Sequence, residues 1–166
     1  DAAGWRDEAQ VVALALTLPG GPQVALSYGV HPQVVATLTA QALEEQLHQL
    51  VLAARGLPLP DGVTLPVPQA IGELGLDAYT KESQATLPQQ ERALRAQLAL
   101  ARELDLPLVL HILRTHEPTL RILQADGVPK AGGVVHSYSG SAQLVPRYVR
   151  LGLSISFAGA VTLPGA

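Results

Sequence analysis

Apolar residues along the chain follow two alternating spacings, and the alternation predicts strands separated by helices. Short apolar runs bounded by glycine or proline are typical of buried strands, whereas apolar residues at every third or fourth position are typical of amphipathic helices. The first pattern predicts five strands, at 23–28, 69–73, 107–111, 132–136 and 153–157. The second pattern predicts helices at 5–16, 40–54, 89–104, 118–125 and from an N-cap at Ser141 through Arg150.

Proline, glycine and polar residues mark the connections between these elements. The segment 57–68 holds four prolines and one glycine, which predicts a connector without regular structure. A polar loop through Ser83 and Pro88 is expected before the helix at 89–104. Gly127 is expected to end the helix at 118–125.

Strands that alternate with amphipathic helices predict an α/β fold with a parallel sheet and right-handed crossovers. Five βα units are visible, whereas a closed eight-fold TIM-type barrel takes about 250 residues. We therefore predict a partial TIM-type (βα) barrel, forming one domain over residues 1–166 that is incomplete at both ends. The chain has no methionine and begins at Asp1, so we expect it to be part of a longer protein.

Composition narrows the class of protein further. Apolar residues make up 48% of the chain and charged residues 15%, which excludes intrinsic disorder. No apolar stretch reaches the roughly 20 residues of a membrane helix, so we expect no membrane partner and a cytoplasmic location. The absence of cysteine excludes disulfides and thiolate metal sites. The net charge of −3 offers no basic surface for nucleic acid, so a polyanionic substrate would need a local site, such as a metal.

Four side chains with metal-binding chemistry follow predicted strands. They are His31, Glu73, His111 and His136. In a βα barrel the carboxyl ends of the strands converge on one mouth, where catalytic residues lie. One histidine at a strand end is more often a hydrogen-bonded structural residue, but the four together favour a divalent-metal hydrolase. Glu73 is the most informative of them, since a carboxylate that follows an apolar strand is costly unless it is paired or bound to metal.

Four motifs resemble, in order and spacing, those of the TatD-type deoxyribonucleases. They are GVHP at 29–32, IGELGLD at 71–77, LPLVLH at 106–111 and GVVHSYSGS at 133–141. The resemblance runs over about 23–163 and is specific, because both the motifs and their intervals match.

This resemblance implies a metal-dependent hydrolase of the amidohydrolase type on a βα barrel, acting on DNA as a 3′–5′ exonuclease. The implied cofactors are divalent metal ions (Mg, Mn or Zn), with two as one option. Glu73 would be the catalytic, metal-bridging carboxylate, and His111 and His136 would be ligands of one ion. The implied partner is DNA, as a single strand or a 3′ end.

The resemblance also implies substrate-binding roles for His31, Arg114, His116 and Ser139. Each has an ordinary structural alternative. His31 suits a turn that ends a strand, Arg114 and His116 suit an exposed helix start, and Ser139 suits a cap or turn. Asp77 either supports a metal-binding side chain or lies in a loop.

The chain departs from the family pattern at two places. It has no His-x-His pair and no aspartate after Asp126, both of which the family uses for metal binding. Two rival hypotheses therefore stand beside the deoxyribonuclease. One is a barrel hydrolase of a small amide, ester or lactone, since an extended DNA contact would want more positive charge. The other is a truncated homologue that acts without catalysis as a binding or assembly subunit.

Overall fold

A computed structural model of the protein describes residues 1–20 and 23–162. Its centre is a five-stranded sheet in the order β1-β2-β3-β4-β5, with every neighbouring pair parallel. The strands are β1 Ser27–Tyr28, β2 Ala70–Asp77, β3 Leu108–Leu113, β4 Gly133–His136 and β5 Leu153–Ile155. Because sequential strands are neighbours throughout, the sheet grows in one direction, as in a βα barrel.

Seven α-helices accompany the sheet in the described part of the chain. They are α1 Ala2–Leu16, α2 Pro32–Val35, α3 Ala40–Ala54, α4 Lys81–Ala85, α5 Leu87–Leu104, α6 His116–Asp126 and α7 Val145–Arg150. Short 3₁₀ segments follow at Ala142–Leu144, before α7, and at Gly159–Thr162, after β5. No helix among the described residues is both long and apolar enough to cross a membrane.

The alternation of side chains along β3 separates the hydrophobic core from the candidate site. Leu108, Leu110 and Ile112 are buried, whereas Val109, His111 and Leu113 are half-buried. Successive side chains of a strand point to opposite faces. His111 therefore faces away from the core that α5 and α6 form with the sheet, and its side chain remains reachable from solvent.

The predicted α/β class, with five parallel strands of a partial TIM-type barrel, is confirmed by the sheet, although in the described residues a 3₁₀ segment rather than an α-helix follows β5. Several predicted boundaries were wrong. The first strand is only Ser27–Tyr28 rather than 23–28, since only these residues find partners in β2. β2 runs on to Asp77 because its last residues pair with β3 as far as Leu113. β5 ends at Ile155 rather than at 157.

The helices differ from prediction mainly at their ends. The segment predicted as a polar loop through Ser83 holds α4, which is stabilised by a reciprocal capping box between Thr80 and Ser83. Pro88 lies in the first turn of α5, where its missing N–H costs nothing. Ser141 does not cap a helix with its side chain, because a 3₁₀ turn separates it from α7. The helix predicted at 118–125 is α6 and is followed by Gly127, as predicted.

Candidate metal centre at the carboxyl ends of the strands

Glu73, His111 and His136 reach the same edge of the sheet by different routes. His111 and His136 are register partners across β3 and β4, so their side chains emerge side by side. In β2 the register slips between Gly72 and Leu74, and Glu73 is left without a partner in β3. An irregularity of this kind re-aims a side chain out of the ladder, and here it directs the carboxylate towards the two imidazoles.

The Glu73 carboxylate is the hub of the cluster. Its Oε2 lies 3.3 Å from His31 Nε2 and 3.7 Å from His111 Nδ1. Its Oε1 lies 3.8 Å from His136 Nε2. Each carboxylate oxygen therefore faces a different set of imidazoles, which is the arrangement a bridging carboxylate needs.

One ligand atom each from His31, Glu73 and His111 lies within 4.8 Å of the others, a spacing that can surround a metal ion. Two nitrogens and one carboxylate oxygen form a donor set typical of Zn or Mn rather than of Mg, which prefers oxygen ligands. All three side chains are only partly buried, so water and substrate can approach them. The residues present thus fit a divalent metal ion.

Asp77 fixes the orientation of the His111 ring. Its Oδ2 lies 3.1 Å from His111 Nε2, and a carboxylate only accepts hydrogen bonds, so the imidazole proton sits on Nε2. Nδ1 of the neutral ring therefore presents its lone pair towards Glu73. A carboxylate behind a histidine is the usual support of a metal ligand. The sequence allowed Asp77 either to support a metal-binding side chain or to lie in a loop. The contact with His111 matches the first interpretation, and Asp77 is the last residue of β2 rather than part of a loop.

His31 is oriented by a different contact. It is the N-cap of α2, and its Nδ1 accepts a hydrogen bond from the backbone N–H of Gln33 at 3.2 Å. Its ring meets the His111 ring edge to face, with 4.4 Å between centroids. The sequence left two interpretations of His31 open, a substrate-side residue or a strand-terminating turn. The N-cap contact agrees with the turn, the substrate role stays a prediction, and the ring also lies against Glu73.

Neighbouring side chains set the charges of the cluster. The imidazoles of His111 and His31 hold the pKa of Glu73 well below its usual range and outweigh its partial burial. Burial of Asp77 opposes its ionisation, but hydrogen bonds from the Tyr79 N–H, Gln33 and His111 lower its pKa. Burial favours neutral His111, yet the neighbouring carboxylates of Glu73 and Asp77 raise its pKa. A metal ion at Nδ1 would compete with a proton, because a ligating imidazole must be neutral.

The other residues with predicted substrate roles lie outside this cluster. His116, the first residue of α6, packs against the rings of Tyr138 and Tyr148, with its Nδ1 2.9 Å from the Tyr148 hydroxyl. Burial lowers the pKa of His116. Ser139 is exposed in the loop after β4, and Arg114 follows β3 directly. Their substrate roles stay predictions.

Two buried glutamines that sequence reasoning missed support the site from beneath. Gln90 accepts a hydrogen bond from the Asp77 N–H and donates one to the Asp77 carbonyl. Gln97 does the same for Val30, the residue before His31. The signal was present in the sequence, because both glutamines interrupt the apolar stripe of α5 seven residues apart, on one helix face.

Comparison with known proteins reveals similarity along almost the whole chain. The family model described as "TatD related DNase" matches residues 6–166. The "3'-5' ssDNA/RNA exonuclease TatD" of Rahnella is 38% identical over 131 residues, which are 79% of this chain and 44% of that protein. The "Uncharacterized metal-dependent hydrolase YcfH" of Escherichia coli is 31% identical over 165 residues, 99% of this chain and 59% of that protein.

A solved structure resembles the fold as well. The crystal structure of the TatD homologue YjjV from Escherichia coli superposes with a TM-score of 0.68 at 36% identity, covering 95% of this chain and 54% of that one. The chain thus spans about half the length of the relatives it matches.

Proposed function

The chain belongs to the TatD-related DNase family, and on that premise we propose that the protein is a metal-dependent hydrolase that cleaves DNA phosphodiester bonds from the 3′ end of a single strand. The substrate part of the proposal is supported by the name of the Rahnella relative, a 3′–5′ exonuclease of single-stranded DNA and RNA. The catalytic part is supported by the cluster around Glu73.

The single observation that carries the proposal is that the two oxygens of the Glu73 carboxylate face different imidazoles. Oε2 faces His111 and Oε1 faces His136, so Glu73 and the two imidazoles would together hold one or two divalent ions. Because its pKa is held low, Glu73 is ionised at neutral pH and ready to bind a cation. A divalent ion supplies an acidified water and an electrophile for a phosphoryl oxygen.

Hydrogen bonds within the chain fix the orientation of the side chains that would hold such an ion. His111 presents Nδ1 because Asp77 retains the proton on Nε2. Asp77 is itself held in place by Gln90 and by the backbone N–H of Tyr79. The imidazoles of His111 and His136, together with the Glu73 carboxylate, favour Mn or Zn over Mg.

The direct test is hydrolysis of single-stranded oligonucleotides by protein that has been stripped with chelator and reloaded with Mn, Zn or Mg. We expect Mn or Zn to restore release of nucleotides from the 3′ end. We expect Glu73→Gln to abolish hydrolysis and weaken metal binding while the fold survives. Wild-type turnover in Glu73→Gln would refute the assignment of the site.

A second candidate is hydrolysis of a small ester, amide or lactone, which the net charge of −3 favours because few phosphates can be neutralised. The same metal-loaded protein assayed on small esters and lactones separates the two candidates. Activity on these and none on oligonucleotides would select the second. Inactivity on every substrate, in protein that binds metal, would favour a binding or assembly subunit.

A further inference from the structure

An exposed tyrosine and an arginine lie together beside the candidate metal centre. Tyr79 is two residues beyond β2, with 58% of its surface exposed, and Arg114 immediately follows β3. The guanidinium carbon of Arg114 lies 4.7 Å from the centroid of the Tyr79 ring. The pair is tied to the metal centre because the backbone N–H of Tyr79 donates to Asp77, the carboxylate that orients His111.

Among the described residues Arg114 shares the lack of an ion pair with Arg102, Arg121 and Arg150, but it is the one of these four found over an aromatic ring. Five arginines form ion pairs with carboxylates: Arg6, Arg55, Arg92, Arg95 and Arg147. Within residues 1–20 and 23–162, no ion pair joins Arg114 to a carboxylate. Its positive charge therefore remains available to a ligand at the mouth of the site.

The backbone of Arg114 adds to this contrast. Its φ of 58° is left-handed, a conformation that costs a residue other than glycine about as much as an exposed cation–π contact returns. The contact between Arg114 and Tyr79 therefore does not by itself offset the cost of this backbone conformation.

We propose that Tyr79 and Arg114 form a subsite that stacks one nucleobase of single-stranded nucleic acid next to the metal centre. Aromatic rings and guanidinium planes are the surfaces on which unpaired bases stack, and such stacking accepts any base. Arg114 is three residues beyond His111, so their Cα atoms are at most about 11 Å apart, close enough for one oligonucleotide to contact both. This subsite rests on the proposed function and names the substrate feature that the site recognises.

Stacking also resolves the apparent conflict between a nucleic-acid substrate and a net charge of −3. Proteins that hold nucleic acid through many phosphates need many cations and lose affinity steeply with salt. A subsite with one aromatic ring and one arginine draws its affinity from the base instead. The salt dependence of binding should accordingly be shallow.

The test uses a single-stranded oligonucleotide that carries 2-aminopurine between two abasic residues, so that one fluorescent base is free to stack. Binding is followed by fluorescence quenching in metal-free protein in EDTA, where no hydrolysis occurs. We expect Tyr79→Leu to weaken binding about 5- to 150-fold, Tyr79→Phe to retain it and Arg114→Leu to weaken it. Arg121→Leu, which removes an exposed arginine from α6, is the matched control and should bind like wild type.

A second measurement compares hydrolysis, by metal-loaded protein, of oligonucleotides with intact or abasic 3′ ends. We expect wild type to prefer the intact end and Tyr79→Leu to lose that preference. Binding in EDTA that survives Tyr79→Leu, or is absent in wild type, would overturn the subsite. Binding that depends on Tyr79 without any hydrolysis by loaded wild type would overturn the proposed function and leave the subsite standing.

Discussion

Replacing Asp77 by asparagine should weaken metal binding although the two side chains have nearly the same shape. Asp77 is 1% exposed, and its carboxylate accepts three hydrogen bonds. Oδ2 receives His111 Nε2 at 3.1 Å and Gln33 Nε2 at 2.8 Å, and Oδ1 receives the Tyr79 N–H at 2.8 Å. An asparagine has one accepting oxygen and one donating NH₂ group, so neither orientation of its amide can satisfy all three donors.

If the amide oxygen stays with the Tyr79 N–H, the NH₂ group faces the ring of His111. The imidazole then relieves the conflict by moving its proton from Nε2 to Nδ1. Nδ1 lies 3.7 Å from Glu73 Oε2, so its lone pair is lost at the atom that faces the metal centre. In the opposite orientation the NH₂ group faces the Tyr79 backbone N–H, and the hydrogen bond that holds the chain just after β2 is lost instead.

Loss of the partner behind a ligating histidine typically costs 10- to 100-fold in metal affinity, about 1.4–2.7 kcal/mol. We expect a change of this size for Asp77→Asn when Mn is titrated calorimetrically into metal-free protein. The free energy of unfolding in EDTA separates this effect from a loss of folding. Asp61→Asn, which alters an exposed carboxylate paired with Arg6, should leave the affinity unchanged. A folded Asp77→Asn variant that binds Mn as tightly as wild type would refute the role given to Asp77.

Three further predictions concern pH and the support of the site. The pKa of His111 is raised in the folded protein, so its protonated form stabilises the metal-free protein. This contribution is complete below about pH 6.5 and is lost as pH rises through the folded-state pKa. Metal binding needs neutral imidazole, so metal affinity should fall as pH drops through the folded-state pKa of His111. Gln97→Leu should destabilise the fold by about 2–3 kcal/mol, since it leaves the buried N–H and carbonyl of Val30 without partners. Gly140→Ala should cost about 1–3 kcal/mol, since its Cβ would lie 2.7 Å from His116 Nε2.

Matched variants and measurements accompany these predictions. Metal titrations across the histidine range test the first, and an affinity independent of pH would contradict it. Denaturant unfolding tests the other two, with exposed Gln124→Leu as the control for Gln97. Gly159→Ala, whose Cβ would meet no atom within 4 Å, is the control for Gly140. Variants at Gln97 and Gly140 no less stable than their controls would show that these positions tolerate repacking.

Local pattern was enough to predict the βα order and to bring Glu73, His111 and His136 to one edge of the sheet. The reason is physical, since in a parallel sheet every strand end after a crossover lies on the same side. The extent of β1 could not be predicted in this way. Only Ser27 and Tyr28 pair with β2, whereas the apolar pattern of the residues before them is equally typical of a strand.

Contacts between residues far apart in sequence were likewise beyond local pattern. The meeting of Tyr79 with Arg114 depends on how two strand ends are spaced across the sheet, and neither residue carries a periodic signal. The register slip that frees Glu73 is invisible in an apolar run that continues past it. By contrast, Gln90 and Gln97 could have been identified, since a polar residue on an apolar helix stripe needs a buried partner.

The choice between His31 and His136 as the second nitrogen ligand turns on protons rather than on distance. His31 Nε2 is nearer to Glu73, but His31 Nδ1 accepts the Gln33 N–H, so the neutral ring carries its proton on Nε2 and offers no lone pair there. His136 Nε2 meets only a hydroxyl, that of Ser137, which can donate or accept, so its lone pair is free to turn towards a cation. On these proton positions we propose Glu73, His111 and His136 as the ligand set, although the ligand atoms that lie within 4.8 Å of one another are those of His31, Glu73 and His111. His31 would then present its Nε2–H to Glu73 Oε2, 3.3 Å away, instead of a lone pair to the ion.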